Sequence, residues 1–218
     1  CIASGSPRFD MESLIRMEHQ ANSVAPETGY LVRQFDGNVT FHTKHDGDGD
    51  IEIYEKPIVG CSYAVIADPA ESMSQTVGAD PDANSVGVWR RGYQCATTDR
   101  WRPMKLVARL KAPFHGEEDE TAAHIERLSR YYGTCICGLE VNKGFHVMRC
   151  LQIAGIPLYR RTPLNNRTGK VEAQVGFKMT SKDEREALVS SLASAIVTGD
   201  IDVSCPFMIG QMKKFVRK

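Results

Sequence analysis

The sequence predicts an α/β domain, a mixed five-stranded sheet flanked by helices. Three observations point there. Three apolar, strand-like segments, Ser62–Ala67, Ser85–Trp89 and Lys105–Leu110, come first and follow one another without a convincing helix between them. Strand and helix patterns then alternate to the end of the chain, the signature of a sheet with helices packed against it. The 218 residues are 42% hydrophobic and 25% charged, an ordinary globular balance with ample material for a buried core.

Taken in order, Phe9 to Ala21 reads as a short helix ahead of the turn-rich Ala25-Pro26-Glu27-Thr28-Gly29. Val39–His42 and Ile51–Tyr54 alternate apolar and polar across His45–Asp50, a pattern that predicts a hairpin. The acids of that turn, Asp46, Asp48 and Asp50, superficially resemble a calcium loop. Its required glycine is Ile51 and its bidentate glutamate position is Pro57, so calcium is rejected. After Lys105–Leu110, Glu117–Glu120 opens a helix with an acidic first turn that suits the positive end of the helix dipole. Ala122, Ile125, Leu128 and Tyr132 give it an apolar stripe, and Gly133 ends it. Thr134–Leu139 is the fourth strand. A helix through Val147, Leu151 and Ala154 stops at Gly155, and Ile156–Tyr159 is a short fifth strand. Ser181-Lys182-Asp183-Glu184 is a capping box that starts a helix through Leu188, Leu192 and Ile196, ending at Gly199. Phe207–Phe215 reads as a last helix.

Lys plus Arg and Asp plus Glu both number 27, but they are unevenly placed. Residues 143–218 hold 13 basic and 6 acidic side chains, against 14 and 21 in residues 1–142. Such a split suits metal ions near one region and a polyanion along another; it equally suits a solvated, charge-mixed surface. No apolar run reaches the ~18–20 residues of a membrane span, so no membrane association is expected. Cys1–Pro7 has neither the basic nor the apolar region of a signal peptide. Without an initiator Met, the chain reads as a fragment of something longer. Seven cysteines in no paired framework suit a reducing compartment. Cys61, Cys135, Cys137 and Cys150 fall in apolar stretches and read as small hydrophobes. The six histidines show no spacing that marks a metal site.

The informative pair is Asp68 and Glu140, each a carboxylate placed where an apolar strand ends. Ligand sites in open α/β sheets collect beyond strand C-termini, and oxygen donors there suit divalent cations. Acids also end strands simply because loops are polar. The basic residues Arg160, Arg161, Arg167, Lys170, Lys178 and Lys182 read either as a phosphate-tracking strip or as a solvated face.

Four blocks in sequence order then carry a resemblance. Tyr63–Glu71 followed by Gly78–Ala83, with Asp80 in a Gly-x-Asp position, resembles the start of the nuclease domain in the large terminase subunit of tailed bacteriophages. Glu140-Val141-Asn142-Lys143-Gly144, with Leu158-Tyr159-Arg160-Arg161 after it, looks like that family's second acidic motif. Gly176–Lys182, leading into a long helix, is similar to its next block. The resemblance runs from about Ile51 to Lys218.

What the resemblance implies is an RNase H-like fold over residues 57–218, preceded by a linker remnant and hairpin over 1–56. It implies an endonuclease that cuts concatemeric double-stranded DNA during genome packaging. Two Mg²⁺ or Mn²⁺ ions would be held by Asp68 and Glu140 as catalytic ligands, with Asp80 as an auxiliary ligand. Arg160, Arg161, Lys178 and Lys182 would bind DNA. The family's third acid and its upstream ATPase have no counterpart in this sequence. No Gly-x-x-x-x-Gly-Lys-Ser/Thr motif occurs, so no ATP site is expected, and activity of this fragment alone is expected to be weak. The implied partners are the portal and the small terminase subunit, in the cytoplasm of a host bacterium. Another RNase H-like nuclease of the resolvase or integrase type, or a catalytically incomplete DNA-binding or assembly module, are the alternative readings.

Overall fold

A computed structural model describes residues 6–44, 48–69, 83–111, 114–142, 144–162, 173–178 and 181–216. The strands are β1 (Glu27–Arg33), β2 (Val39–Thr43), β3 (Ile51–Ile53), β4 (Tyr63–Asp68), β5 (Ser85–Arg90), β6 (Tyr93–Cys95), β7 (Arg100–Arg102), β8 (Met104–Leu110), β9 (Ile136–Leu139), β10 (Arg160–Arg161), β11 (Gln174–Val175) and β12 (Ile201–Asp202). The helices are α1 (Met11–Asn22), α2 (Glu118–Tyr131), α3 (Phe145–Ile153), α4 (Lys182–Thr198) and α5 (Pro206–Lys214).

The main sheet has eight strands among the described residues, in the order β2-β1-β3-β8-β5-β4-β9, with β12 also paired to β8. β4, β5 and β8 form an antiparallel meander. The chain then crosses over through α2 and returns as β9, parallel to β4. A parallel neighbour needs such a crossover, and α2 supplies the length.

The mixed sheet and its flanking helices are those expected; the strand count of five is corrected. Four of the five appear as β4, β5, β8 and β9. The fifth contributes a single parallel bridge, Leu158 to Cys137. The sheet instead grows on the β8 side. There β3 pairs antiparallel with β8, so strands before residue 57 are hydrogen-bonded into the same sheet as those after it.

The predicted hairpin is also corrected. β2 and β3 are strands, but they do not pair; β1 lies between them and bonds to both. The true hairpin turn is at Asp36-Gly37-Asn38, where Gly37 takes φ +86° and the Gln34 N–H donates to the Asn38 carbonyl at 2.7 Å. Asp-Gly is a strong hairpin signal, and it outranks the longer acidic loop.

Side-chain alternation divides the core between the two faces of the sheet. Val65, Ala67, Cys137 and Leu139 pack with Ile125 and Leu128 of α2 and Val147 and Leu151 of α3. Leu106 packs instead with Leu14 of α1, Ile196 of α4, Ile201 of β12 and Ile209 of α5, while its neighbour Val107 joins the first cluster. Helix ends follow their sequence signals. Ser181 Oγ accepts from the Glu184 N–H at 3.1 Å, and Gly133, Gly155 and Gly199 take left-handed conformations where α2, α3 and α4 stop. No helix is long and apolar enough to cross a membrane among the described residues.

Candidate active site

β4 buries Tyr63, Val65 and Ala67 and turns Ala64, Ile66 and Asp68 to the opposite face. β9 runs beside it in parallel, with Ala64 level with Ile136 and Ala67 level with Leu139. One step further along that register Asp68 stands beside Glu140, whose N–H donates to the Ala67 carbonyl at 3.0 Å. Residues level in a parallel pair project from the same face, on strands ~4.8 Å apart. Both carboxylates therefore leave the sheet at the same edge and in the same direction. Asp68 is exposed and Glu140 half-buried. Glu140 Oε1 accepts a hydrogen bond from Asn142 Nδ2 at 2.7 Å, which orients the carboxylate.

Two glycines allow the strand ends to come this close. A Cβ at the buried Gly144 would meet the Glu140 carbonyl oxygen at 2.8 Å and Pro69 Cγ at 3.0 Å. Gly176 has φ +73°, and a Cβ there would lie 2.5 Å from the Leu139 carbonyl oxygen and 2.5 Å from Val141 Cγ1. That close approach seats Phe177 against β9. The Phe177 N–H donates to the Leu139 carbonyl at 2.9 Å, and the Val141 N–H donates to the Phe177 carbonyl at 3.0 Å.

The basic residues collect beside this end of the sheet. β10 and β11 pair Arg160 with Val175 and Arg161 with Gln174, and the next residues bring Lys178 directly after Phe177. Arg160, Lys178 and Lys182 are exposed; Arg161 is half-buried, with Nη1 3.9 Å from Glu184 Oε1. A cavity of about 440 Å³ opens between α3 and this segment, lined by Val141, Phe145, Met148, Gln174 and Lys178. The structure thus brings the segment that carries Arg160, Arg161 and Lys178 beside Glu140 through the Phe177 bridge, while Lys182 opens α4, whose first turn meets Arg161 through Glu184. Asp80, Lys143, Arg167 and Lys170 lie outside the described residues, as does the His45-Asp46-Gly47 part of the acidic turn.

Oxygen donors of this kind fit a hard divalent cation better than a thiophilic one. Comparison with known proteins adds the decisive fact about the scaffold. No family model and no curated protein sequence matches the chain. Among solved structures, the large terminase nuclease from thermophilic phage G20c superimposes on it in several forms. The magnesium-bound form gives a TM-score of 0.53 at 13% identity, covering 98% of this chain and 82% of that one. The zinc-bound form gives 0.51 at 15% identity, covering 92% and 88%. The cobalt-bound form gives 0.52 at 12% identity, covering 98% and 82%. The chain has the fold of a large terminase nuclease. At these identities the likeness is one of fold, and it bears out the RNase H-like architecture expected from the sequence.

Within this terminase-nuclease fold one cluster escaped the sequence reading. Asp119 in the first turn of α2 meets His146 and Cys150 of α3, all three ligand atoms lying within 4.8 Å of one another. Cys150 does pack against the core as a small hydrophobe, but it is half-exposed and also touches two polar groups. The signal that would have found it is the His146–Cys150 spacing of four, which places both on one side of a helix. Cys135 and Cys137 do behave as core residues, with burial pushing their thiols up to about 11 and about 12.

Proposed function

We propose that this chain is a metal-dependent endonuclease that hydrolyses phosphodiester bonds of double-stranded DNA in phage genome packaging, cutting concatemeric DNA. The observation that carries the reading is the register that sets Asp68 level with Glu140 at the carboxyl end of two adjacent parallel strands. Support comes from the fold shared with terminase nucleases and from their capture with magnesium, zinc and cobalt. The packaging role, with the portal and the small terminase subunit as partners and the host bacterial cytoplasm as setting, rests on the sequence resemblance.

In this reading Asp68 and Glu140 are the catalytic and metal-holding residues, and Asp80 is an auxiliary ligand. Together they would hold a pair of divalent cations, Mg²⁺ or Mn²⁺, which would supply Lewis acidity and make water a better nucleophile. The protein's part is positioning. Asn142 holds one Glu140 oxygen and so fixes the orientation of the carboxylate. Arg160, Arg161 and Lys178 lie along the strip beyond β9, where they hold the DNA backbone and fix the scissile phosphate over the carboxylates. Lys182 extends that contact at the start of α4. Water is the attacking group, so no Ser, Cys or His nucleophile is required.

The test is nicking of supercoiled plasmid in Mg²⁺ or Mn²⁺ by the wild-type chain, Asp68→Ala and Glu140→Ala. Each variant should cut at least about 100-fold more slowly, the loss expected when several kcal/mol of transition-state charge stabilisation is removed. Circular dichroism should show both variants folded. Equal cutting by wild type and both variants would sink the assignment. Metal-dependent DNA binding without cutting in the wild type would favour the non-catalytic alternative.

A further inference from the structure

We propose that Asp119, His146 and Cys150 form a second metal site, for a zinc-class divalent ion, that ties α2 to α3. His146 and Cys150 are one turn apart on α3, and Asp119 reaches them from the first turn of α2, 27 and 31 residues earlier in the chain. The three atom pairs are 2.7 Å (His146 Nε2 to Asp119 Oδ1), 3.5 Å (Cys150 Sγ to Asp119 Oδ1) and 3.5 Å (Cys150 Sγ to His146 Nε2).

These separations can be set against a tetrahedral zinc centre. With Zn–S ~2.3 Å and Zn–N or Zn–O ~2.0–2.2 Å, sulfur-to-nitrogen and sulfur-to-oxygen edges come to about 3.6 Å, and nitrogen-to-oxygen to about 3.4 Å. Both sulfur edges already match. The nitrogen–oxygen edge is shorter because a proton, rather than an ion, joins the two atoms. Asp119 has 81% of its side chain exposed, so a small rotation opens that edge without disturbing the core.

A surface hydrogen bond joins the histidine and the aspartate. The thiol packs partly against the core and lies 3.5 Å from both, which completes a convergent set of three donors. One thiol, one imidazole and one carboxylate make a borderline donor set, which selects zinc-class ions over magnesium. Asp68 and Glu140 offer oxygen alone and have the opposite preference. With His146 half exposed, the fourth position faces solvent and takes water. The expected consequence is structural. α3 begins five residues after Glu140, so clamping its first turn to α2 steadies the segment that follows the strand end.

This site is independent of the nuclease reading, and so is its test. The full chain is stripped with a chelator, reduced, and titrated with Co²⁺ as a spectroscopic probe. We expect a thiolate-to-cobalt charge-transfer band that saturates near one equivalent and is bleached by Zn²⁺. The band should persist in the Asp68→Ala/Glu140→Ala double variant, whose lost oxygens carry no such transition. It should vanish in Cys150→Ser. His146→Ala and Asp119→Ala should each weaken Zn²⁺ binding by more than the ~10- to 100-fold that loss of an outer partner costs. A Cys95→Ser control covers the readily ionised thiol elsewhere, which hydrogen bonds from Thr98 and Thr97 bring down to about 7. Absence of the band in the wild-type chain, or a band that survives Cys150→Ser, would overturn the proposal. Loss of nicking in Asp68→Ala with the band intact would leave it standing.

Discussion

Pro69 and Glu140, from the ends of two adjacent strands, meet at the α-carbon of Gly144, where a methyl group would lie 3.0 Å from the proline ring and 2.8 Å from the glutamate carbonyl oxygen. Backbone cannot yield there as a flexible side chain would. Gly144→Ala should therefore push the Glu140 segment away from Pro69 at a cost of about 1–3 kcal/mol, as overpacking does. For a chain of this size that is a fall in Tm of a few degrees per kcal/mol. DNA cutting should fall with it, because the two carboxylates lose their register. Gly210→Ala is the control. Gly210 lies in α5 with nothing within 4 Å of an added methyl, so that change should leave cutting alone and stabilise by up to about 1 kcal/mol. Thermal melts and plasmid nicking on the two variants separate these outcomes. Equal Tm values for Gly144→Ala and the wild type would show that the contact is not tight.

A second relationship governs stability away from the site. Glu52 of β3 stands opposite Arg109 of β8, and Arg109 Nε donates to Glu52 Oε2 at 2.6 Å. The Tyr54 hydroxyl donates to the same oxygen at 2.6 Å, and the Arg109 guanidinium lies over the Phe207 ring. Burial by itself would raise the Glu52 carboxyl; the Arg109 and Tyr54 hydrogen bonds outweigh it and hold the group below the ordinary glutamate range. Arg109→Met should cost about 3–5 kcal/mol at pH 7, because it strands a half-buried carboxylate. Glu52→Gln/Arg109→Met should recover part of that loss. A depressed folded-state pKa means the stabilisation is complete above the unfolded value of ~4.3 and disappears as pH falls through the folded one. Urea melts between pH 7 and pH 3 should show the gap between wild type and Arg109→Met closing in acid. A gap that is constant with pH would mean the pair contributes packing rather than charge.

Much of this fold could be read from residue patterns because the patterns are local. Strands β4, β5, β8 and β9 show apolar runs or alternation, and α4 carries its own cap at Ser181 and stop at Gly199. The strand-end positions of Asp68 and Glu140 were likewise visible. Their adjacency was expected from the resemblance to terminase nucleases and not from any local pattern, since it depends on the α2 crossover returning β9 beside β4. β1 was missed because the turn-forming residues at its start, Glu27-Thr28-Gly29, masked the alternation that follows. The pairing of β2 with β1 is a tertiary outcome that alternation alone cannot specify. β12, two residues long, exists only because it lies against β8. The Asp119, His146 and Cys150 cluster shows the same limit. Half of it is a helical spacing in plain view, and the other half comes from a different helix.

The basic strip gives a prediction that separates phosphate contact from mere exposure. Lys178 follows Phe177, which is bridged to Glu140, so its backbone lies at the same edge of the sheet as the carboxylates. Lys182 has no such link to the strand end; it opens α4 behind its Ser181 cap. If the scissile phosphate lies over Asp68 and Glu140, Lys178 is the cation whose backbone is tied to that edge. Each phosphate contact releases about one counterion, so removing one lowers the slope of log K against log salt by about 0.9. Lys178→Glu should therefore reduce the salt slope of duplex binding by about 1 and weaken binding at low salt, with Tm unchanged because the side chain is exposed. Lys182→Glu should do the same to a lesser degree. Arg161→Glu is a poorer probe, since its side chain is half-buried and places a second acid near Glu184. Binding isotherms from about 50 to about 300 mM salt, on the Asp68→Ala variant and without divalent metal, give the slopes directly. A slope unaltered by Lys178→Glu would place the DNA path elsewhere on the molecule and leave the strip beside β9 as ordinary solvated surface.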